Sequence, residues 1–296
     1  MLIDAHVHLF SRRFYQFWCD QSRVTLDKAA AIIGTEIPDA DDLTPLADRW
    51  LAEMDKHRVD RAVLLSSVIG DGGALGRVVA KHPKRFCGLF LLNPTLEDSM
   101  SRLKRGLGEA GLCGACLYPA LHHYYPDDER LHAIFTTLER ANAAAFVHFG
   151  MLKIPIQDKL GIAPSVDLKY SNPLRLHSIC NAFPNLKFII PHFGAGYFTE
   201  TLMLGAQAKN VYVDTSSSND WIKLHSGLTL ETVFDKVLQI FGPNRVLFGT
   251  DSSAFPRGWR KDNHERQKQA LDKINAPKAD QEKIFGLNLA GLLKWN

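Results

Sequence analysis

The chain has 296 residues, 46% of them hydrophobic and 23% charged, with a net charge of +3 at pH 7, which describes a globular protein with a large core and excludes a disordered one. Charge this small and this dispersed gives no support to nucleic-acid or membrane-surface binding, and no apolar run approaches the ~20 residues that span a bilayer. A start directly on a strand, with no basic and apolar leader, and five scattered cysteines (Cys19, Cys87, Cys113, Cys116, Cys180) point to a cytoplasmic protein in a reducing compartment.

The first element is a strand, Leu2-Ile3-Asp4-Ala5-His6-Val7-His8. Simple alternation puts Asp4, His6 and His8 on one face and the apolar Ile3, Ala5 and Val7 on the other. Two imidazoles two residues apart on a strand can converge on one metal ion. Taken alone, the pattern equally suits surface histidines or a polar strand end. Residues 9–42 follow, aromatic at first (Phe10, Phe14, Tyr15, Phe17, Trp18) and too long for a plain loop. They are expected to form a small helical insertion that covers a site.

Thr44-Pro45 opens a helix, with Leu46, Trp50, Leu51 and Met54 at helical spacing. Short apolar strands are then predicted over 63–65, 86–92, 113–118, 144–149, 186–192, 211–214 and 245–251. Helices over 75–81, 97–110, 127–142, 173–182, 199–208 and 230–240 separate them. With the first strand this makes eight βα units, the pattern of a parallel (β/α)₈ TIM-type barrel. No repeat or linker interrupts it, so 1–296 reads as a single domain with 9–42 inserted after strand 1.

Polar residues cluster at the carboxyl ends of these strands, where barrel active sites are built. His6 and His8 close the first strand. His148 follows Ala145-Phe146-Val147, His192 follows Ile189-Ile190-Pro191, and Asp251 follows Gly249-Thr250. Singly each is a polar strand cap. Together, several imidazoles and a carboxylate buried at one end are costly unless paired or metal-bound.

At this point the chain resembles the amidohydrolase superfamily, in the amidohydrolase-related branch that includes aminocarboxymuconate-semialdehyde decarboxylase, resorcylate-type decarboxylases and lactone hydrolases. The motifs that carry the likeness are Ile3-Asp4-Ala5-His6-Val7-His8, Val147-His148, Pro191-His192-Phe193-Gly194 and Gly249-Thr250-Asp251, with a closing helix around Ile284-Phe285-Gly286-Leu287-Asn288. The resemblance implies one divalent metal ion, with Zn²⁺ favoured, held by His6, His8, His148 and Asp251. It makes His192 and Asp251 the catalytic groups, His192 staying off the metal. Binuclear members carry a bridging lysine on the fourth strand. Here that strand reads Gly114-Ala115-Cys116-Leu117-Tyr118, so a mononuclear site is expected. Some lactone-hydrolysing relatives keep the histidines and work without metal.

Asp214, ending the seventh strand, is a candidate to orient His192 or merely to cap its strand. Arg12, Arg13, Arg257 and Arg260 flank the motifs and can clamp a substrate carboxylate, or else lie on a solvated surface. Tyr118, His122 and His123 are candidate substrate contacts around the fourth βα loop. Asp4 reads as a buttress. Cys113-x-x-Cys116 does not read as a pair, because three-residue spacing on a strand splits the faces. The function expected is hydrolysis of a small carboxylated lactone, ester or amide through metal-activated water, with decarboxylation of an aromatic or enoic acid as the alternative. A non-catalytic scaffold is disfavoured, because none of the five ligand-type residues is lost. The expected partner is that small-molecule substrate, with neither nucleic acid nor membrane, and a homodimer is compatible with this reading.

Overall fold

Eight parallel strands form one sheet in the order β1 to β8 in the computed structural model, which describes residues 1–216 and 220–295. They are β1 (Ile3–Leu9), β2 (Arg61–Ser66), β3 (Phe86–Leu91), β4 (Gly114–Leu117), β5 (Ala144–Val147), β6 (Lys187–Ile190), β7 (Val211–Asp214) and β8 (Val246–Leu247). Between β1 and β2 lie α1 (Arg12–Ser22), α2 (Leu26–Ile33) and α3 (Thr44–His57); α4 (Gly72–Lys81) and α5 (Ser99–Leu107) follow β2 and β3. Next come α6 (Pro119–His122), α7 (His132–Arg140), α8 (Pro155–Lys159), α9 (His177–Ala182), α10 (Phe198–Gln207) and α11 (Leu230–Phe241). The chain finishes with α12 (Lys261–Lys273), α13 (Lys278–Glu282) and α14 (Asn288–Leu292). The architecture is the expected (β/α)₈ barrel. Among the described residues no helix is long and apolar enough to cross a membrane.

Alternation along the strands builds two apolar layers. Val63, Leu65, Leu89, Leu91, Phe146, Ile189 and Leu247 fill the barrel interior, which Leu289 and Leu292 of α14 close at one end. Leu64, Phe90, Leu117, Val147, Ile190 and Val213 face outward and pack under the helices.

The first strand departs from simple alternation. Its register against β2 shifts between Asp4 and Val7. As a result Ile3 and Ala5 join the interior layer, while Val7 and Leu9 belong to the outer one. This corrects the expectation that Ile3, Ala5 and Val7 share a face. One extra residue in a strand flips everything after it, and here the flip turns His6 and His8 inward. Asp4 lies opposite the outward-facing Ala62 instead. Fully buried, it accepts from His6 N at 2.9 Å, Thr250 N at 3.0 Å, Thr250 Oγ1 at 2.5 Å and Trp259 Nε1 at 2.7 Å. Burial raises its pKa to about 6 in spite of those donors.

The last strand is shorter than expected, two residues rather than seven. Beyond it the chain runs alongside β1 and closes the barrel through Ala5 N to Phe248 O, Asp251 N to His6 O and His8 N to Ser252 O, at 2.7–3.0 Å. Cys87 and Cys113 are joined by a disulfide, which corrects the expectation of unpaired cysteines. Cys19, Cys116 and Cys180 are buried free thiols.

Because Asp4 ties both sides of the closure, Asp4→Ala strands four donors and should cost about 3 kcal/mol or more. Asp4→Asn, which keeps the shape and one acceptor, should cost less; urea denaturation midpoints decide both.

Candidate active site

His6, His8 and His192 are each aimed by a contact at Nδ1. His6 Nδ1 lies 2.8 Å from Asp214 Oδ2 and 2.9 Å from Ser216 Oγ. A carboxylate only accepts, so His6 Nδ1 carries the proton and a neutral His6 presents its Nε2 lone pair. His8 Nδ1 meets Ser67 Oγ at 2.8 Å. The two Nε2 atoms then face each other at 3.2 Å, and Asp251 Oδ1 stands 3.2 Å from His8 Nε2 and 3.5 Å from His6 Nε2.

Three acceptor atoms pointing at one spot repel unless a cation fills it. Tetrahedral Zn²⁺ with bonds of about 2.0–2.1 Å places neighbouring donors about 3.3–3.4 Å apart, which matches these separations. Without an ion the spot attracts a proton. Burial alone would lower the His6 pKa, yet Asp214 at hydrogen-bond distance and the nearby Asp251 raise it. Burial alone would raise the Asp251 carboxyl, but the hydrogen bond with His8 and the charge of His6 hold it well below the usual range. The donor set therefore fits a divalent cation.

His148 stands at the same end without belonging to this cluster. Its ring centroid is 5.1 Å from that of His192, and it stacks on Tyr118 at 5.3 Å and 19°. Burial holds its pKa well below that of free histidine, and its Nδ1 is buried with no hydrogen-bond partner among the described residues. Gly150 (φ +73°) lets this loop pass against the carbonyl oxygens of Gly194 and Ala195, where a side chain would collide.

His192 lies past the end of β6 on a turn, with φ +57°. Its Nδ1 lies 2.9 Å from the carbonyl oxygen of Ser216, so Nδ1 carries the proton and Nε2 is the free acceptor. Burial lowers its pKa, which keeps it neutral at pH 7. Among the described residues Asp214 makes no hydrogen bond to the His192 ring. It accepts from the His192 backbone N–H at 3.2 Å and orients the ring of His6, so of the two roles open to it the orienting one is taken, toward His6 instead of His192. Asp251 shares the left-handed backbone, with φ +57°. Such conformations are unfavourable outside glycine and collect at functional sites.

A cleft of about 610 Å³ opens above these groups. Phe10, Phe14, Tyr15 and Trp18 from the 9–42 segment form one wall, and Phe14, Tyr15 and Trp18 pack against Ile156 of α8. Ser11 caps α1, its side chain accepting from Phe14 N, and Thr25 does the same for Lys28 N in α2. Tyr118, Arg257 and Arg260 line the cleft, as do Lys153 and, at the end of the short helix α8, Lys159, neither of which any sequence period singles out.

Four other candidates face elsewhere. Arg12 donates to the carbonyl of Pro38 at 3.2 Å, and Arg13 pairs with Asp71 at 3.4 Å. His123 meets the carbonyl of Ser165 at 2.7 Å, and His122 is a partly buried side chain whose pKa burial lowers to about 4. None of these four lines the cleft. Ser67 and Ser216 were also missed; each follows an apolar strand at the site end, the signal that did reveal the histidines.

The model of the amidohydrolase family matches residues 3–294. A 5-carboxyvanillate decarboxylase from Novosphingobium aromaticivorans, solved with bound manganese and 3-methoxy-4-hydroxy-5-nitrobenzoic acid, superposes with a TM-score of 0.68 at 17% identity, over 99% of this chain and 97% of that one. A probable 2-pyrone-4,6-dicarboxylic acid hydrolase from Acinetobacter baumannii, solved with citric acid bound, gives 0.62 at 17% identity, over 99% of each chain. Protein fluG of Emericella nidulans is 27% identical over 121 residues, which are 40% of this chain and 14% of that longer protein.

The Asp214 contact makes its own claim. Asp214→Asn can offer His6 an amide nitrogen in place of an acceptor, so affinity for added Zn²⁺ should fall about 10–100-fold, as read by competition with a chromophoric chelator.

Proposed function

The chain belongs to the amidohydrolase family, and on that premise we propose that it is a metal-dependent hydrolase of a small carboxylated lactone, ester or amide. His6, His8 and Asp251 would hold one divalent ion, with His148 as a fourth ligand; the buried, unpartnered nitrogen of His148 supports that assignment. Imidazole and carboxylate donors favour Zn²⁺ among the divalent ions. When bound, such an ion supplies Lewis acidity and lowers the pKa of water at the site to about 7.

One observation carries the choice of reaction. Asp251, within the donor cluster, and His192, beside it, are both bases at neutral pH. The Asp251 carboxyl is held well below the usual range, and His192 is neutral with Nδ1–H against the Ser216 carbonyl and Nε2 free. Two bases suit removal of a proton from attacking water. His192, once protonated at Nε2, can return that proton to the leaving oxygen or nitrogen. Protonation of a carbanion, as decarboxylation requires, calls for an acid already in place. Arg257 and Arg260 at the rim suit a substrate carboxylate, and the aromatic wall of 9–42 would shield the reacting atoms from bulk water.

Protein purified without added metal should carry close to one equivalent by elemental analysis. His192→Asn should keep that metal while turnover drops about 10²-fold or more. Since burial lowers the His192 pKa and the base must be unprotonated, kcat/KM should rise with pH along an acid limb whose midpoint lies below 6.5. The reaction itself is tested by offering carboxylated lactones and aromatic or enoic acids side by side. Acid release from lactones supports hydrolysis, whereas carbon dioxide release with no lactone cleaved would establish the decarboxylase alternative.

A further inference from the structure

A second cavity, of about 310 Å³, lies on the outside of the barrel between α4 and α5. Gly72, Gly73 and Gly76 of α4 bring bare backbone to one wall, and the ring of Phe90 lies beside Gly72 and Gly106. Asp71, at the N-cap of α4, makes no side-chain hydrogen bond to the first turn.

Three guanidinium groups border this groove: Arg77 from α4, with Arg102 and Arg105 from α5. Among the described residues only Arg102 has an ion pair, with Asp98 at 2.6 Å, and its Nε is buried with no hydrogen-bond partner. The contact of Arg77 is a long one, 3.4 Å to the carbonyl of Gly73. Glu109 is the single carboxylate on the lining. Like charges gathered in a concavity repel one another, and an anion relieves them. Forked guanidinium donors match phosphate oxygens. The volume sits at the small end of ligand sites, about 300–1,000 Å³, which suits a sugar-phosphate-sized molecule and excludes a dinucleotide.

We propose that this groove binds a small phosphate ester. It is also placed to influence the cleft. Leu91 borders both cavities. The β2–α4 loop that carries Gly70 of the groove also carries Ser67, the partner of His8, and Asp71, the partner of Arg13 on α1.

The test is calorimetric titration of the intact protein with ribose 5-phosphate and, separately, with succinate. One saturable site for ribose 5-phosphate is expected. Arg77→Glu and Arg105→Glu should each weaken it about tenfold or more, and Arg257→Met, in the other cleft, should leave it unchanged. Arg77 and Arg105 are exposed, so their variants should fold, which thermal melts check. The assignment falls if no saturable binding is found up to roughly 10 mM, if binding follows Arg257 instead, or if succinate binds as tightly as the phosphate ester.

Discussion

The seam between β1 and the chain that follows β8 is the constraint on which the candidate site depends. A barrel must pair its first and last strands, and β8 supplies only Val246 and Leu247 as regular strand. The closure is made instead by backbone hydrogen bonds in which Ala5 and His8 donate to Phe248 and Ser252 and His6 accepts from Asp251, across the register shift of β1. With uninterrupted alternation, His6 and His8 would face the helices and Val7 the interior. The shift reverses this, and the same hydrogen bonds set Asp251 beside both imidazoles. Asp4, beneath the seam, binds the backbone of His6 and of Thr250 together.

Backbone placement alone would leave each imidazole free to turn. Asp214, Ser67 and Ser216 remove that freedom by engaging the Nδ1 atoms of His6, His8 and His192. Two carboxylates in one barrel end, Asp214 buried and Asp251 largely so, would be costly if unpaired. Asp214 is compensated by His6 and Ser216, and Asp251 by His8 and His6, so both are held ionised. The result is a set of acceptors facing inward with their proton-bearing atoms tied outward, an arrangement that a cation completes.

The walls of the cleft differ in chemistry. On one side a ring ladder runs from His8 to Phe10 at 5.1 Å and on to Phe14 at 4.1 Å, so the inserted segment is stacked directly on a donor residue. Arg257, Arg260, Lys153 of the β5–α8 loop and Lys159 of α8 add cationic groups to the same lining. A molecule with a flat apolar body and an anionic end satisfies both kinds of group, which accords with the carboxylated substrate proposed above.

Strand and helix periods, and the polar residues at strand ends, were legible in the sequence because they are local properties of the chain. The eight-stranded barrel and the gathering of His6, His8, His148, His192 and Asp251 at one end follow from them directly. The parity of β1 was not legible, since a bulge is a property of two paired strands and leaves no mark on the apolar pattern of one. The partner of Asp214 was likewise decided by tertiary structure: sequence proximity to a motif says nothing about which ring a carboxylate meets across the barrel. Arg12, Arg13 and His123 stand close to the motifs in sequence, yet contacts with Pro38, Asp71 and Ser165 engage them away from the cleft, while Lys153 and Lys159 reach it from farther along the chain. Which side chains face a common space is fixed by where loops fold back, and that is settled by long-range packing.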